Sequence, residues 1–223
     1  MICKKVISAI LEGEYIVNEP LLAEREMAVK YQVGRPTIRE ALQRLERDGW
    51  IAARKGMPAV VNDYWSYGNL MTIVDILQCY EEIPNVFIEY MLGLRIALAP
   101  AYMKEAVAHN QVKVIALFTK LDELQDDAKS YAVFDWTLHQ NLAQLSPNPI
   151  YRLLLNSFAD IYIPMAEKYF SEPLHRKVSS QYYDDLVLSL LKGDVEATEQ
   201  LTKMMMEQSL VLWMKKSEGA KES

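Results

Sequence analysis

Cysteine is nearly absent from this sequence, since Cys3 and Cys79 are the only two among 223 residues. Two isolated thiols do not make a disulfide framework, so the sequence predicts a protein of a reducing compartment. The N-terminus lacks the apolar run and the small-residue cleavage site of a signal peptide. No stretch approaches the roughly 18 to 20 uncharged apolar residues that a membrane span needs. We therefore expect a cytoplasmic protein with no membrane partner.

Groups suited to catalysis are also scarce. The chain has three histidines, and it contains no recognisable nucleophile motif, phosphate-binding loop or Glu-x-x-His pair. We therefore expect no catalytic residues and no enzyme. An enzyme with a helical catalytic domain remains an alternative, and an activity that needs Asp135 but survives Arg35→Ala would support it.

The formal net charge of −6 conceals an uneven distribution. The segment from Arg25 to Val61 has eight basic and four acidic residues, a net charge of +4, so the remaining residues carry −10. A basic segment on an acidic chain is typical of one surface that meets phosphates.

Three helical patterns occupy the first 48 residues: Lys4–Glu12, Leu22–Tyr31 and Pro36–Asp48. The third has an apolar stripe at i, i+3, i+4 and i+7, formed by Ile38, Ala41, Leu42 and Leu45. Side chains that suit bases and phosphates lie off this stripe, namely Arg35, Thr37, Arg39 and Gln43. Alone, such a polar face is more typical of a solvated helix.

The residues after the third helix favour a DNA-binding interpretation. Gly49 ends the helix, and two short strands at 51–54 and 59–62 flank the basic tip Lys55–Pro58. A helix-turn-helix followed by a hairpin is a winged helix. In such a domain the third helix enters the major groove and the tip reaches the adjacent backbone or minor groove.

The run LLAEREMAVKYQVGRPTIREALQRLERDGWIAARKGMPAVV at 21–61 resembles the DNA-binding domain of the GntR superfamily of bacterial regulators, and within it the FadR subclass. The resemblance implies that arginines contact the operator, that Thr37 assists them, and that Gly56 lets the wing backbone approach DNA. The arginines are Arg25, Arg35 and Arg39. Lys55 stands at a wing position where the resemblance predicts a histidine.

Beyond a short linker at 66–70 the pattern is helical throughout. We predict helices at 69–80, 84–107, 110–127, 131–145, 149–170, 173–191 and 194–215, with kinks or breaks at Pro100 and Pro164. The predicted fold is therefore mainly α: a winged helix-turn-helix domain (1–65), the linker, and an all-α antiparallel bundle of about seven helices (71–223).

This layout resembles the effector-binding and dimerisation domain of the FadR subclass. Many members bind a metal through an aspartate, a histidine four residues later and two further histidines. Asp135 and His139 match the first half of that motif, but Tyr183 and Met205 stand at the later positions. The remaining histidines, His109 and His175, are predicted to lie in loops. Two ligands are too few for a closed site, so we expect no metal and assign Asp135 and His139 to a salt bridge or hydrogen bond.

The resemblance to the FadR subclass implies a long-chain fatty acyl-CoA effector instead, with no required cofactor. The positions that it implicates are Arg95, Tyr162, Tyr169, Tyr183, Ser209 and Trp213. Burying a sixteen-carbon tail would supply roughly 10 kcal/mol before association costs. Without the resemblance, such aromatic residues would be assigned to the core. Met204–Met206 stand where the subclass has a tyrosine–glycine pair, and the missing glycine would narrow the path of the CoA moiety.

We therefore expect a homodimeric regulator, repressor or activator according to operator position, that binds a palindromic double-stranded operator and is released by acyl-CoA. Its target genes would concern fatty acid metabolism. Two alternatives stay open: a GntR-type regulator that responds to a small carboxylate with the help of a metal, and a DNA-binding protein whose bundle only dimerises.

Overall fold

A computed structural model describes residues 2–219, with side chains described as far as Lys216. The chain forms two compact units that divide between Glu82 and Ile83. Each unit is described separately below.

The first unit is a winged helix extended by two further helices. Its elements are α1 (Ile2–Leu11), α2 (Glu24–Tyr31), α3 (Arg35–Arg47), β1 (Ile51–Arg54), β2 (Met57–Val61), α4 (Tyr64–Tyr67) and α5 (Leu70–Cys79). Three residues of the predicted stripe on α3 are buried, and Leu42 is half-buried. Pro36 lies in the first turn of α3, where a missing N–H costs no hydrogen bond. The predicted fold class is confirmed, and α2 begins two residues later than expected.

The wing is a two-stranded antiparallel sheet in which Ile51 pairs with Val61 and Arg54 pairs with Met57. Gly56 turns the tip with a φ of +74°, a conformation that favours glycine. The backbone N–H of Ala53 donates to Glu46 Oε1 at 3.1 Å and ties the wing to α3. The orientation of the wing is thus fixed relative to the third helix.

Helix α5 is joined to the C-terminal end of α3 by buried polar contacts. The indole N–H of Trp50 donates to Asp75 at 3.2 Å, and the Thr72 hydroxyl donates to the carbonyl of Asp48 at 2.8 Å. Gly49 packs so closely that a Cβ there would lie 2.2 Å from the carbonyl oxygen of Tyr67. Residues 63–79 therefore fold as part of the first unit. The functional boundary predicted at residues 66–70 remains a prediction.

The second unit is an all-helical bundle. Its elements are α6 (Asn85–Ala116), a short 3₁₀ turn (Leu121–Glu123), α7 (Ala128–Leu145), α8 (Pro149–Ser157), α9 (Ala159–Phe170), α10 (Pro173–Lys192) and α11 (Val195–Gly219). Helix α6 packs chiefly against α11 and α7, and α7 packs against α8 and α9.

Several predicted boundaries in this unit are wrong. Helix α6 continues through Pro100, where a kink or break was predicted. It departs from helical angles only at Asn110, which is at the boundary predicted between the helices 84–107 and 110–127. There the Asn110 amide donates to the Leu145 carbonyl at 2.8 Å, which compensates for the interrupted helix. Beyond Ala116 the predicted helix 110–127 gives way to turns. The predicted helix 149–170 is interrupted at Phe158 rather than at Pro164.

Two further findings concern α6 and the histidines. Over 18 residues α6 reaches a mean hydropathy of 1.3 with one third of that window buried, so length and composition alone would permit a membrane span. Its packing against α7, α10 and α11 and its ion-paired Arg95 fit the central helix of a bundle. His109 and His175 lie in α6 and α10, not in loops.

Candidate DNA-binding surface and effector site

The predicted DNA-contacting side chains lie on the surface of the first unit. Arg25, Arg35 and Thr37 are exposed, and neither Arg25 nor Arg35 has a hydrogen-bond or ion-pair partner within residues 2–219. Arg39 is also exposed, but its Nε donates to Glu24 Oε2 at 2.8 Å. Arg39 and Gly56 line one open groove between α3 and the wing, together with Gln43 and Arg54.

The basic residues of this unit fall into two groups. Those with acidic partners are Lys30 with Glu14, Arg39 with Glu24, Arg44 with Asp48 and Asp75, and Arg47 with Asp48. Within the part of the chain that the structure describes, Arg25, Arg35, Arg54 and Lys55 have none. Lys4 and Lys5 on α1 have none in this part of the chain either. The other four cations without acidic partners are on α2, at the start of α3 and at the wing tip, which are the elements that a winged helix presents to DNA.

In the second unit, four helices contribute to a buried polar cluster centred on Asp135. Arg95 from α6 contacts both carboxylate oxygens, at 3.1 and 3.2 Å. Tyr162 from α9 donates to the same carboxylate at 2.6 Å, and Tyr183 from α10 does so at 3.3 Å. The structure thus brings three of the six predicted effector residues together around Asp135, a residue predicted as a weak metal candidate.

His139 completes this cluster. Its Nε2 lies 2.6 Å from Arg95 Nη2, and its Nδ1 lies 2.6 Å from the Tyr102 hydroxyl. A guanidinium only donates, so Nε2 accepts from Arg95, and in the neutral ring the proton is on Nδ1, which donates to Tyr102. The 3.5 Å separation between Nε2 and Asp135 is then an electrostatic contact rather than a hydrogen bond.

Burial and Arg95 set the electrostatics of the cluster. Burial acts to raise the pKa of Asp135, but the Arg95 guanidinium, His139 and the Tyr162 hydrogen bond together outweigh it and hold that pKa well below its ordinary value. Burial, reinforced by Arg95, lowers the pKa of His139. Burial raises the pKa of Tyr162 and of Tyr183. The cluster therefore contains one cation, one anion and otherwise neutral groups.

The geometry of this cluster does not suit a metal. Both ligand atoms that Asp135 and His139 would offer are engaged by the Arg95 guanidinium. Tyr183 points to Asp135 from the register position of a later histidine, while Met205 is buried and offers only a thioether. Among the described residues, no group of three His, Cys, Asp or Glu side chains could hold a metal ion. Asp135 does form a salt bridge, but with Arg95 of α6 and not with His139 as predicted.

The other three predicted effector residues lie together at a second position. The Tyr169 and Trp213 rings are 6.2 Å apart, and Tyr169 stacks on His175 at 4.3 Å. Ser209 donates to the Met205 carbonyl at 2.9 Å, and the indole N–H of Trp213 donates to the Asn85 carbonyl at 3.1 Å. The Tyr169 hydroxyl is buried without a hydrogen bond of standard geometry, and burial raises its pKa to about 12.

Two narrow cavities of about 30 Å³ each adjoin the polar cluster. The first is lined by apolar residues of α6 and α9, including Ile88, Met165 and Phe170, and by Tyr169. The second is lined by residues such as Leu98, Trp136 and Phe158. Three side chains line both cavities and thus separate them: Met91, Arg95 and Tyr162. The buried Nε of Arg95 has no hydrogen-bond partner in the described chain.

Sequence reasoning missed two members of these sites. Tyr102 follows Arg95 by seven residues and so shares its helix face, a spacing that would have placed it near His139. Glu24 gave no such signal, because its contact with Arg39 joins two different helices.

Family comparisons cover nearly the whole chain. Residues 1–61 match the family described as "Bacterial regulatory proteins, gntR family", and residues 62–221 match the "FadR C-terminal domain". A "Fatty acid metabolism regulator protein" from Haemophilus influenzae (strain PittEE) is 32% identical over 192 residues, which cover 86% of this chain and 80% of the relative. A protein of the same name from Shewanella amazonensis is 34% identical over 183 residues, covering 82% and 76%.

A solved structure supports the fold alone. It is described as "Lar controls the expression of the Listeria monocytogenes agr system and mediates virulence", with 18% identity, coverage of 96% of this chain and 95% of that one, and a TM-score of 0.56. The two family matches and the relatives together decide the assignment. The chain belongs to the GntR family of bacterial regulatory proteins, among the members that have a FadR C-terminal domain.

Proposed function

We propose that this protein is a DNA-binding transcriptional regulator of fatty acid metabolism, not an enzyme, whose homodimer binds a palindromic operator and is released by long-chain fatty acyl-CoA. Family membership and the named relatives support the regulatory part. The observation that carries the effector part is the pair of apolar cavities flanking Arg95 and Tyr162. The site of action would be the cytoplasm.

The DNA interface is formed by α2, α3 and the wing. Arg25 and Arg35 are exposed and lack acidic partners, so their guanidinium groups are available to guanine edges and phosphates without first breaking an ion pair. Thr37 lies on the same exposed face of α3 as a donor for phosphate or base atoms. At the wing, Lys55 and Gly56 provide a cation and a side-chain-free backbone for the minor groove.

The charge balance of the buried cluster favours a neutral polar group on the effector. Arg95 is already neutralised by Asp135, and His139 is neutral because burial and Arg95 lower its pKa. A carboxylate effector would therefore add an uncompensated buried charge. The carbonyl oxygens of a thioester and of the pantetheine amides need hydrogen-bond donors, and two buried donors here make no hydrogen bond of standard geometry, Arg95 Nε and the Tyr169 hydroxyl. Both line the first cavity.

The apolar tail requires the cavities to enlarge. Each holds no more than one or two waters as it stands. Movement of Met91 and Tyr162 would join the two spaces, and methionine adapts readily to a new neighbour. Ser209 and Trp213, both on α11, lie next to Tyr169. Met205 and Met206 of the same helix are buried. These positions would contact the polar end of the ligand.

Because its two cavities are too small for the ligand, the bundle is in a closed state. This closed state provides a physical basis for release of DNA. A ligand that binds only an opened bundle selects that conformation, and an operator that prefers the closed one must then lose affinity. The coupling is reciprocal and has a typical size of 1 to 3 kcal/mol, about 5- to 150-fold in affinity.

The test is an anisotropy titration of a fluorescent operator, selected from a random duplex pool, with acyl-CoA of increasing chain length. We expect long-chain acyl-CoA to weaken the complex, whereas free CoA and the corresponding fatty acid have little effect. Tyr162→Phe and Arg95→Met should reduce the response, and Arg152→Ala, an exposed arginine of α8, serves as the matched control. If no chain length weakens the complex, the effector proposal fails.

A metal-assisted carboxylate effector predicts a different result. Zn²⁺ or Mn²⁺ would then raise the melting temperature, and a carboxylate would add to that rise. Because Arg95 engages both candidate ligands, we expect no stabilisation by either metal. A bundle that only dimerises predicts no thermal shift with any acyl-CoA.

A further inference from the structure

An ion pair between α2 and α3 lies on the proposed DNA-binding surface. Arg39 Nε donates to Glu24 Oε2 at 2.8 Å, and the side chains remain 63% and 39% exposed. Glu24 is the first residue of α2, and Arg39 is in the second turn of α3. The contact thus joins the two helices of the helix-turn-helix at its outer face.

The geometry of this pair leaves the terminal nitrogens of Arg39 available. Only Nε is engaged by protein, and neither Nη atom has a partner among residues 2–219. A guanine edge accepts two parallel hydrogen bonds, at O6 and N7, and the two Nη groups match that spacing. Anchoring Nε fixes the plane of the guanidinium, so fewer rotamers must be lost when a base is bound.

Folding stability gives the acid at this position only a small role, since a carboxylate in the first turn of a helix contributes about 0.3 to 1 kcal/mol. An exposed ion pair typically contributes between 0 and 1 kcal/mol to folding. A carboxylate lining a groove that faces phosphates also repels DNA. Arg25 and Arg35, in contrast, have no acidic partner. Of the three arginines predicted to contact DNA, Arg39 alone has an acidic partner among the described residues. Its role must therefore differ from that of the other two.

We propose that Glu24 is a positioning residue that determines base preference, presenting the Nη pair of Arg39 to a guanine while penalising loose phosphate contact. This inference rests on the proposed function, because it requires Arg39 to face DNA. It predicts opposite effects of Glu24→Ala on two affinities. Specific discrimination at one guanine falls by about fivefold or more, whereas affinity for an unrelated duplex rises.

The experiment is a double-mutant cycle on the full-length protein with Glu24→Ala, Arg39→Ala and both changes. Affinities are measured at several salt concentrations for the operator, for operators with single 7-deazaguanine replacements, and for a scrambled duplex. Removing N7 should weaken binding at one guanine in the wild type and should have no effect there in Arg39→Ala. Glu24→Ala should lose most of that discrimination, whereas Glu24→Gln should retain part of it, because the amide oxygen can still accept from Arg39 Nε. In the Arg39→Ala background, Glu24→Ala should change nothing at that base.

Glu40→Ala is the matched control, since it removes one acidic charge from the exposed face of α3 next to Arg39. It should raise affinity for both duplexes alike and leave base discrimination unchanged. Equal effects of Glu24→Ala and Glu40→Ala on discrimination, or equal effects of Glu24→Ala with and without Arg39, would overturn the inference. If Arg35→Ala and Arg39→Ala leave operator affinity unchanged, the proposed function fails instead. Circular dichroism melting of each variant confirms that the fold is retained.

Discussion

Arg95 Nη2 lies 2.6 Å from His139 Nε2, the nitrogen that a metal ion would otherwise use. A side-chain cation thus takes the position that a bound cation would need, and it also neutralises Asp135. The cluster is balanced within the chain and needs no ion from solution.

Breaking the Arg95–Asp135 pair from one side should destabilise the helical unit. Arg95→Met leaves a buried carboxylate without its cation, which typically costs 3 to 5 kcal/mol. Arg95→Met combined with Asp135→Asn should cost clearly less than the two single changes added together, because neither charge is then left alone. Urea titrations of the full chain measure these free energies of unfolding. Single variants that each cost less than about 1 kcal/mol would contradict the buried pair.

Acidification should destabilise the protein below about pH 6.5. Burial lowers the pKa of His139 and of His175, so the unfolded chain binds protons that the folded chain does not. Stability therefore falls as the pH drops through 6.5, by up to about 1.4 kcal/mol per pH unit for each histidine. The stabilisation from Asp135, whose pKa is lowered, is lost only in more acidic solution, below its ordinary value of 3.8.

Calorimetric melting between pH 7.5 and 5.5 tests this dependence. His139→Gln should flatten the slope of melting temperature against pH even if its overall stability is lower. His109→Gln is the control, because His109 is exposed. A slope that His109→Gln changes and His139→Gln does not would refute the assignment.

Arg35→Ala should reduce operator affinity to that of a scrambled duplex while leaving the melting temperature unchanged. The side chain is exposed and has no partner in the described chain, so its loss breaks no contact within the protein. Each bidentate arginine–guanine pair discriminates by roughly 1 to 3 kcal/mol, and a homodimer would lose two. Anisotropy at fixed salt gives the affinities, with Arg152→Ala as control; unchanged operator affinity would exclude a role for Arg35.

Substitution of two glycines can separate the role of the wing in DNA binding from the cost of backbone strain. Gly56 and Gly13 have φ values of +74° and +80°, and a Cβ at either would meet nothing within 4 Å. Alanine at each should therefore cost a similar 1 to 2 kcal/mol of stability. Only Gly56→Ala should also weaken operator binding, since the wing backbone approaches DNA in the proposed interface. Equal operator affinities for the two variants would remove the wing from the interface.

Local patterns in the sequence were sufficient for the winged helix. The apolar stripe of α3, the proline in its first turn and the hairpin with a glycine at its tip are all short-range signals, and each is present in the structure. The exposure of Arg35 followed from the same helical spacing. The break at Asn110 lies at the predicted boundary between the helices 84–107 and 110–127, but the hydrogen bond of Asn110 to Leu145 was not predictable, because no local signal marks that partner.

The candidate effector site was predictable only in part. Asp135 and His139 share a helix face by their spacing, so their contact could be anticipated. That Arg95 would insert between them depends on the packing of α6 against α7, which the sequence does not display. The kink or break predicted at Pro100 was wrong for a related reason, because the long packed helix tolerates one missing hydrogen bond.

The small size of the two cavities also bears on the time course of the response. A ligand cannot enter spaces of about 30 Å³ until the bundle has opened. At low concentration the observed rate of binding should rise with acyl-CoA, but at high concentration it should level off at the opening rate of the helices. Replacing Met91 by alanine, which thins the partition between the cavities, should raise that plateau. The regulator would then follow lipid supply no faster than its own core can rearrange.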